Sequence, residues 1–220
     1  MSDDSTFTQL LDLAAGLVLV CAFVALWRRS LVAIVRALAV QGVALGAVAV
    51  LLALHDHDAE PLLVAVLLVV FKGGIVPVVL GRIVRADDGA REVEPLVNVS
   101  ASLIAGALLT LVAYAVTRDL VALDPAPETR ALPIGIAVVL IGVFVLASRR
   151  KAVMQIVGFL LMDNGIALVA LLATSGVPLI VELGVTLDVL LVVLILQVLT
   201  ARMRATFGAM DLDNLQELHD

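Results

Sequence analysis

Residues Pro61 to Gly81 read PLLVAVLLVVFKGGIVPVVLG, a run in which Lys72 alone carries a charge. At about 1.5 Å per residue, a helix of this length covers about 30 Å, the thickness of a bilayer's hydrocarbon. Its apolar side chains lack the alternation of a barrel strand, and backbone amides cannot stay unpaired in lipid. The run is therefore predicted to be a transmembrane helix.

Six further runs of the same kind can be placed: Phe7 to Leu26, Ser30 to Leu54, Pro95 to Val116, Ala131 to Ala147, Ala152 to Ser175 and Val177 to Thr200. The expected fold is all-α, a polytopic membrane helix bundle of seven spans, with residues 1–220 as one integral membrane domain. Composition agrees, because 62% of the 220 residues are hydrophobic and the mean hydropathy is +1.15. Soluble domains carry roughly 45 to 50% apolar residues, and a soluble fold could not hide the excess.

The net charge of -6 matters less than where the charges fall. Arg28, Arg29, Arg82, Arg85, Arg91, Arg149, Arg150, Lys151, Arg202 and Arg204 all fall on one side of the predicted spans, against Arg118 and Arg130 on the other. Only Arg36 and Lys72 remain, within spans. Cytoplasmic loops gather Lys and Arg, so the N-terminus is expected outside and the C-terminus inside. A cysteine placed at Asp58 should then react with an impermeant label on intact cells, and one at Asp87 only after permeabilisation. The reverse pattern would invert the topology.

The opening Met1-Ser2-Asp3-Asp4 is acidic where a secretory signal is basic, so the first helix is expected to be kept. The tail from Asp211 to Leu218 is expected as a short amphipathic surface segment in the cytoplasm. Arg28-Arg29 before the second span is echoed by Arg149-Arg150 before the sixth. The offset is 121 residues, with six identities over 27 positions, and a parallel repeat of spans 1–3 and 5–7 would explain it.

One cysteine, Cys21, and three histidines, His55, His57 and His219, exclude a disulfide framework, a four-cysteine cluster and most zinc sites. No cofactor or metal is expected, nor a redox or hydrolytic site of the chain's own. His55-Asp56-His57-Asp58 reads as a solvated loop, and Asn98-Val99-Ser100 matches a glycosylation sequon but falls inside a predicted span.

Charged side chains in a bilayer core cost about 2.5 to 3.5 kcal/mol each on insertion scales, so those retained there have a partner or a use. Gln41, Lys72, Asp163 and Asp188 are each the twelfth residue of a predicted span, hence all near the midplane. Arg36 enters from the cytoplasmic end, while Asp12 and Glu182 sit in the outer thirds of their spans and can snorkel. Spans four and five hold no charge within their predicted bounds and read as wall. Gly73-Gly74 and Pro77 weaken the third helix beside Lys72, freeing carbonyls for water, and Gly42 with Gly46 would let the second helix approach a neighbour closely.

Two readings of the midplane set stay open. Lys72, Asp163, Asp188, Glu182, Gln41 and Arg36 could form a proton path, or Lys72 could pair with an aspartate only to hold helices together.

The turn Arg149-Arg150-Lys151 followed by Gly158 to Leu168, which reads GFLLMDNGIAL, resembles the K subunit of respiratory complex I. In length the chain is more similar to hydrogenase 4 component E, a membrane subunit of group 4 nickel-iron hydrogenases such as formate hydrogenlyase. The resemblance is carried by Arg28-Arg29, Gln41-Gly42, Lys72 with Pro77, Asp163-Asn164-Gly165, Glu182 with Asp188, and the tail from Asp211. Leu160 stands where the K subunit's buried glutamate would be, and the carboxylate here is Asp163. That shift of three residues keeps the helix face and moves the charge about 4.5 Å along the axis.

The resemblance implies a non-catalytic membrane subunit of a complex I-like or group 4 hydrogenase-type oxidoreductase, serving ion translocation and assembly. Its implied partners are antiporter-like and other membrane subunits in the bilayer of a bacterial or archaeal cytoplasmic membrane, with no nucleic acid. A free-standing ion-coupled transporter and a purely structural scaffold subunit are the alternatives. A transporter would need a substrate cavity and clearer helix breaks than Gly73-Gly74 and Pro77 supply.

Overall fold

The computed structural model describes residues 2–56, 60–86, 98–149 and 152–174. They form α1 (Ser2–Trp27), α2 (Leu31–Asp56), α3 (Glu60–Leu68), a π-helical segment (Val69–Ile75), α4 (Val76–Ala86), α5 (Val99–Leu123), α6 (Pro127–Ser148) and α7 (Ala152–Thr174). Because α3, the π segment and α4 are continuous, these residues hold six helices long and apolar enough to cross a membrane. The expected seventh span, Val177 to Thr200, lies outside the described residues, as does the tail from Asp211.

Hydropathy placed the first three spans and the sixth to within a few residues and misplaced the limits between the fourth and fifth. Predicted span four ends at Val116, whereas α5 runs to Leu123 and takes in Arg118 and Asp119. Predicted span five begins at Ala131, but α6 begins at Pro127 and includes Glu128 and Arg130. Local capping decides these ends. Proline suits the first helical position, and Asp124 accepts from the Ala126 amide and the Thr129 hydroxyl, each at 3.3 Å. The expected long loop shrinks to the turn 124–126. Asn98, read as a sequon residue, is the N-cap of α5, its side chain accepting from the Ser100 amide at 3.4 Å.

Without a hydrophobic force between helices in lipid, close packing depends on small residues. The most extensive contact, α6 on α7, shows this. A Cβ added to Gly142 would stand 2.4 Å from the Met162 nitrogen, and one added to Gly165 2.5 Å from the Val139 nitrogen. Gly135 and Gly158 complete two such crossings, seven residues apart on each helix. α1 packs on α2, α5 and α6, and α2 packs in turn on the third span and on α7. Helix α5 buries only Ser102, Gly106, Ala113 and Thr117, a single narrow stripe, and presents Ile104, Leu108, Leu111 and Val116 outward, as a lipid-facing wall does.

Candidate functional site

The break in the third span has a local cause. Pro77 has no N–H to give the Gly73 carbonyl four residues earlier, and its ring would crowd that carbonyl in a regular α-helix. Just before it the chain widens into the π segment, in which the Val76 N–H reaches back five residues to the Phe71 carbonyl. Single π turns of this kind recur at functional positions because the extra residue re-aims one side chain. Here that residue's neighbourhood holds Lys72, the one buried member of the segment.

The backbone of Lys72 lies directly on α2. A Cβ on Gly42 would meet the Lys72 carbonyl carbon at 2.3 Å, and one on Gly46 would meet the Val69 side chain at 2.3 Å. The Gly42/Gly46 pair is thus the surface on which the third span docks.

From that seat the Lys72 Nζ donates to Asp163 Oδ2 of α7 at 2.5 Å, with both residues 5% exposed. The next residue, Asn164, donates through Nδ2 to Gln41 Oε1 at 2.8 Å, and Gln41 donates through Nε2 to the Val18 carbonyl of α1 at 2.9 Å. Gln41 has no exposed surface. The four side chains make one polar layer running from α1 through α2 and α7 to the third span. Lys72 is the eleventh of the 21 residues Leu62–Arg82, and Asp163 the twelfth of the 23 residues of α7, so the layer sits at mid-helix.

Of the six candidates, Gln41, Lys72 and Asp163 come together. Arg36 is exposed, about 140° around α2 from Gln41 at 100° per residue, and stands apart from the layer. Asp188 and Glu182 lie outside the described residues. Asn164 was quoted in the sequence only as context for Asp163. Adjacent helical residues diverge by about 100°, which lets this pair reach two different neighbours at the same depth. Leu160, at the place of the K subunit's glutamate, is buried one turn before Asp163.

Outside the layer, His55 stacks on Phe7 with ring centroids 4.0 Å apart, and among the described residues no three His, Cys, Asp or Glu side chains are grouped to hold a metal. At the turn between α6 and α7, Arg149 is buried, and desolvation holds its guanidinium below the ordinary arginine value.

No protein-family model matches the chain, and no solved structure matches it. Hydrogenase-4 component E of Escherichia coli and of Shigella flexneri is 33% identical over 88 residues, 40% of this chain and 41% of that protein. The uncharacterized protein Rv0085 of Mycobacterium tuberculosis is 46% identical over 218 residues, 99% of each chain. On that full-length match, the chain belongs to the same family as Rv0085.

Proposed function

We propose that this protein is a membrane subunit of a hydrogenase-type, complex I-like oxidoreductase, and that its buried polar layer forms part of an ion path. The carrying observation is the Lys72–Asp163 pair, two charges hydrogen-bonded at mid-helix beside a π segment. The partial match to Hydrogenase-4 component E supports the kind of complex.

The chemistry needs only these side chains. A proton passing from the Lys72 ammonium to the Asp163 carboxylate converts an ion pair into a neutral pair, so no net charge is created in hydrocarbon. Lysine recharged from one side and aspartic acid discharged to the other would then move one proton across the layer. Gln41 and Asn164 hold α2 and α7 in register while this happens. In this reading Asp188 and Glu182 continue the path, and antiporter-like subunits take it up.

The test is made in the intact complex. Asp163→Asn keeps size and removes titration, while Lys72→Met combined with Asp163→Leu removes both charges without leaving either one unpaired. Expected in the double variant is an assembled complex that retains electron transfer and loses ion translocation. Translocation surviving in it would end the relay reading and leave the pair as a brace between helices.

A further inference from the structure

Arg36 and Arg82 line one hollow of about 460 Å³ between α2 and the third span, together with Ala39, Gly73, Pro77 and Val78. Both arginines are exposed, and neither makes an ion pair among the described residues. They lie at the same end of two antiparallel neighbours, α2 and α4, where a Cβ added to Gly81 would stand 3.8 Å from the Val35 side chain.

A second groove, of about 350 Å³, shares Ala39 and Gly73 with it and is otherwise walled by Leu13, Leu17, Val40, Val43 and Ala47. Those walls are apolar throughout. Val32 and Val78 of the hollow, and Val40 and Val43 of the groove, are each at least 43% exposed, so both open on the outer surface of the helices.

A groove cationic at one end and apolar along the rest has the polarity of a single phospholipid. Its length agrees, because the hollow runs along the third span from Arg82 to Gly73, nine residues or about 14 Å from the helix end to mid-helix, and one leaflet's acyl layer is half of ~30 Å. Guanidinium groups pair with phosphate oxygens through two parallel hydrogen bonds, and an anionic headgroup leaves a net negative charge for two arginines to share. The geometry points to a bound anionic phospholipid, its headgroup between Arg36 and Arg82 and an acyl chain laid along Val78, Ala39 and Gly73. This site is independent of the relay.

The full chain reconstituted in phosphatidylcholine vesicles, with spin-labelled phosphatidylglycerol or spin-labelled phosphatidylcholine as probe, decides it. Each juxtamembrane arginine strengthens anionic-lipid binding by roughly fivefold, so a preference for phosphatidylglycerol of about tenfold or more is expected. Arg36→Gln with Arg82→Gln should bring the two probes level. Val78→Trp, which fills the apolar wall of the hollow and spares the arginines, should weaken retention of phosphatidylglycerol. Both changes lie on the exposed surface, and a retained helical circular dichroism spectrum checks the fold. Equal binding of the two probes by the unaltered chain, or a preference that survives in the double variant, overturns the site. So does a photo-crosslinker at Val32 that captures a protein helix rather than lipid in native membranes.

Discussion

Asp163→Asn in the full chain is expected to lower its resistance to unfolding in detergent by about 3–5 kcal/mol, the cost of leaving one member of a buried ion pair without the other. Lys72 has 5% of its surface exposed and meets Asp163 in the middle of two spans, too deep for its ammonium to find bulk water without dragging the third span off α2. Lys72→Met should be costly for the converse reason, since it strands a carboxylate. Joining Lys72→Met to Asp163→Leu should return most of the lost stability, because apolar pairs of similar volume often equal or surpass a buried ion pair. Unfolding in mixed micelles of Lys72→Met, Asp163→Leu and their combination, read against the unaltered chain, gives the coupling between the two sites. If either single variant matches the unaltered chain, the pair does not hold the helices together.

The spans were legible in the sequence because lipid imposes one rule along the whole of each: runs such as Phe7 to Leu26 must be apolar for about 20 residues, whatever they pack against. What the rule cannot see is what happens beyond the hydrocarbon. Helix α5 carries Arg118 and Asp119, and α6 carries Glu128 and Arg130, because backbone hydrogen bonding continues past the apolar window until Asp124 and Pro127 end one helix and start the next. Sequence located the weak point of the third span from Gly73-Gly74 and Pro77, but not the form it takes. That form is a π segment whose Lys72 backbone lies on Gly42 of α2, a seat that no local pattern in the third span encodes.

The candidate layer was partly legible for a similar reason. Depth follows from counting, so Gln41, Lys72 and Asp163 could be placed at one level. Facing does not follow from counting, and Arg36, equally conspicuous as an intramembrane charge, turns away from the layer. The glycines of α6 and α7 carried an unread signal. Gly135 and Gly142 are seven residues apart, as are Gly158 and Gly165, a spacing that returns to nearly the same helix face and marks both sides of one close contact.

Gly42→Ala should disturb the layer without touching any of its polar atoms. The added methyl would stand 2.3 Å from the Lys72 carbonyl carbon, 2.4 Å from the Gly73 nitrogen and 2.6 Å from the Lys72 oxygen. Ordinary contact to such atoms begins near 3.4 Å. Every neighbour is backbone, so no side chain can swing aside, and the third span must move off α2 by about 1 Å. Overpacking of this kind costs about 1–3 kcal/mol. Because Lys72 is displaced with its backbone, part of that cost should come from the weakened pair with Asp163, and Gly42→Ala should be less harmful in the Lys72→Met, Asp163→Leu background than in the unaltered chain. Gly16→Ala is the control: nothing lies within 4 Å of its added Cβ, and replacing a mid-helix glycine there should be neutral or stabilise by up to about 1 kcal/mol. Thermal unfolding in one detergent of the unaltered chain, Gly42→Ala, Gly16→Ala, and the Lys72→Met, Asp163→Leu variant with and without Gly42→Ala makes the comparison. Equal melting of Gly42→Ala and Gly16→Ala would mean that α2 and the π segment do not approach as closely as described, and the seat from which Lys72 reaches Asp163 would be lost with them.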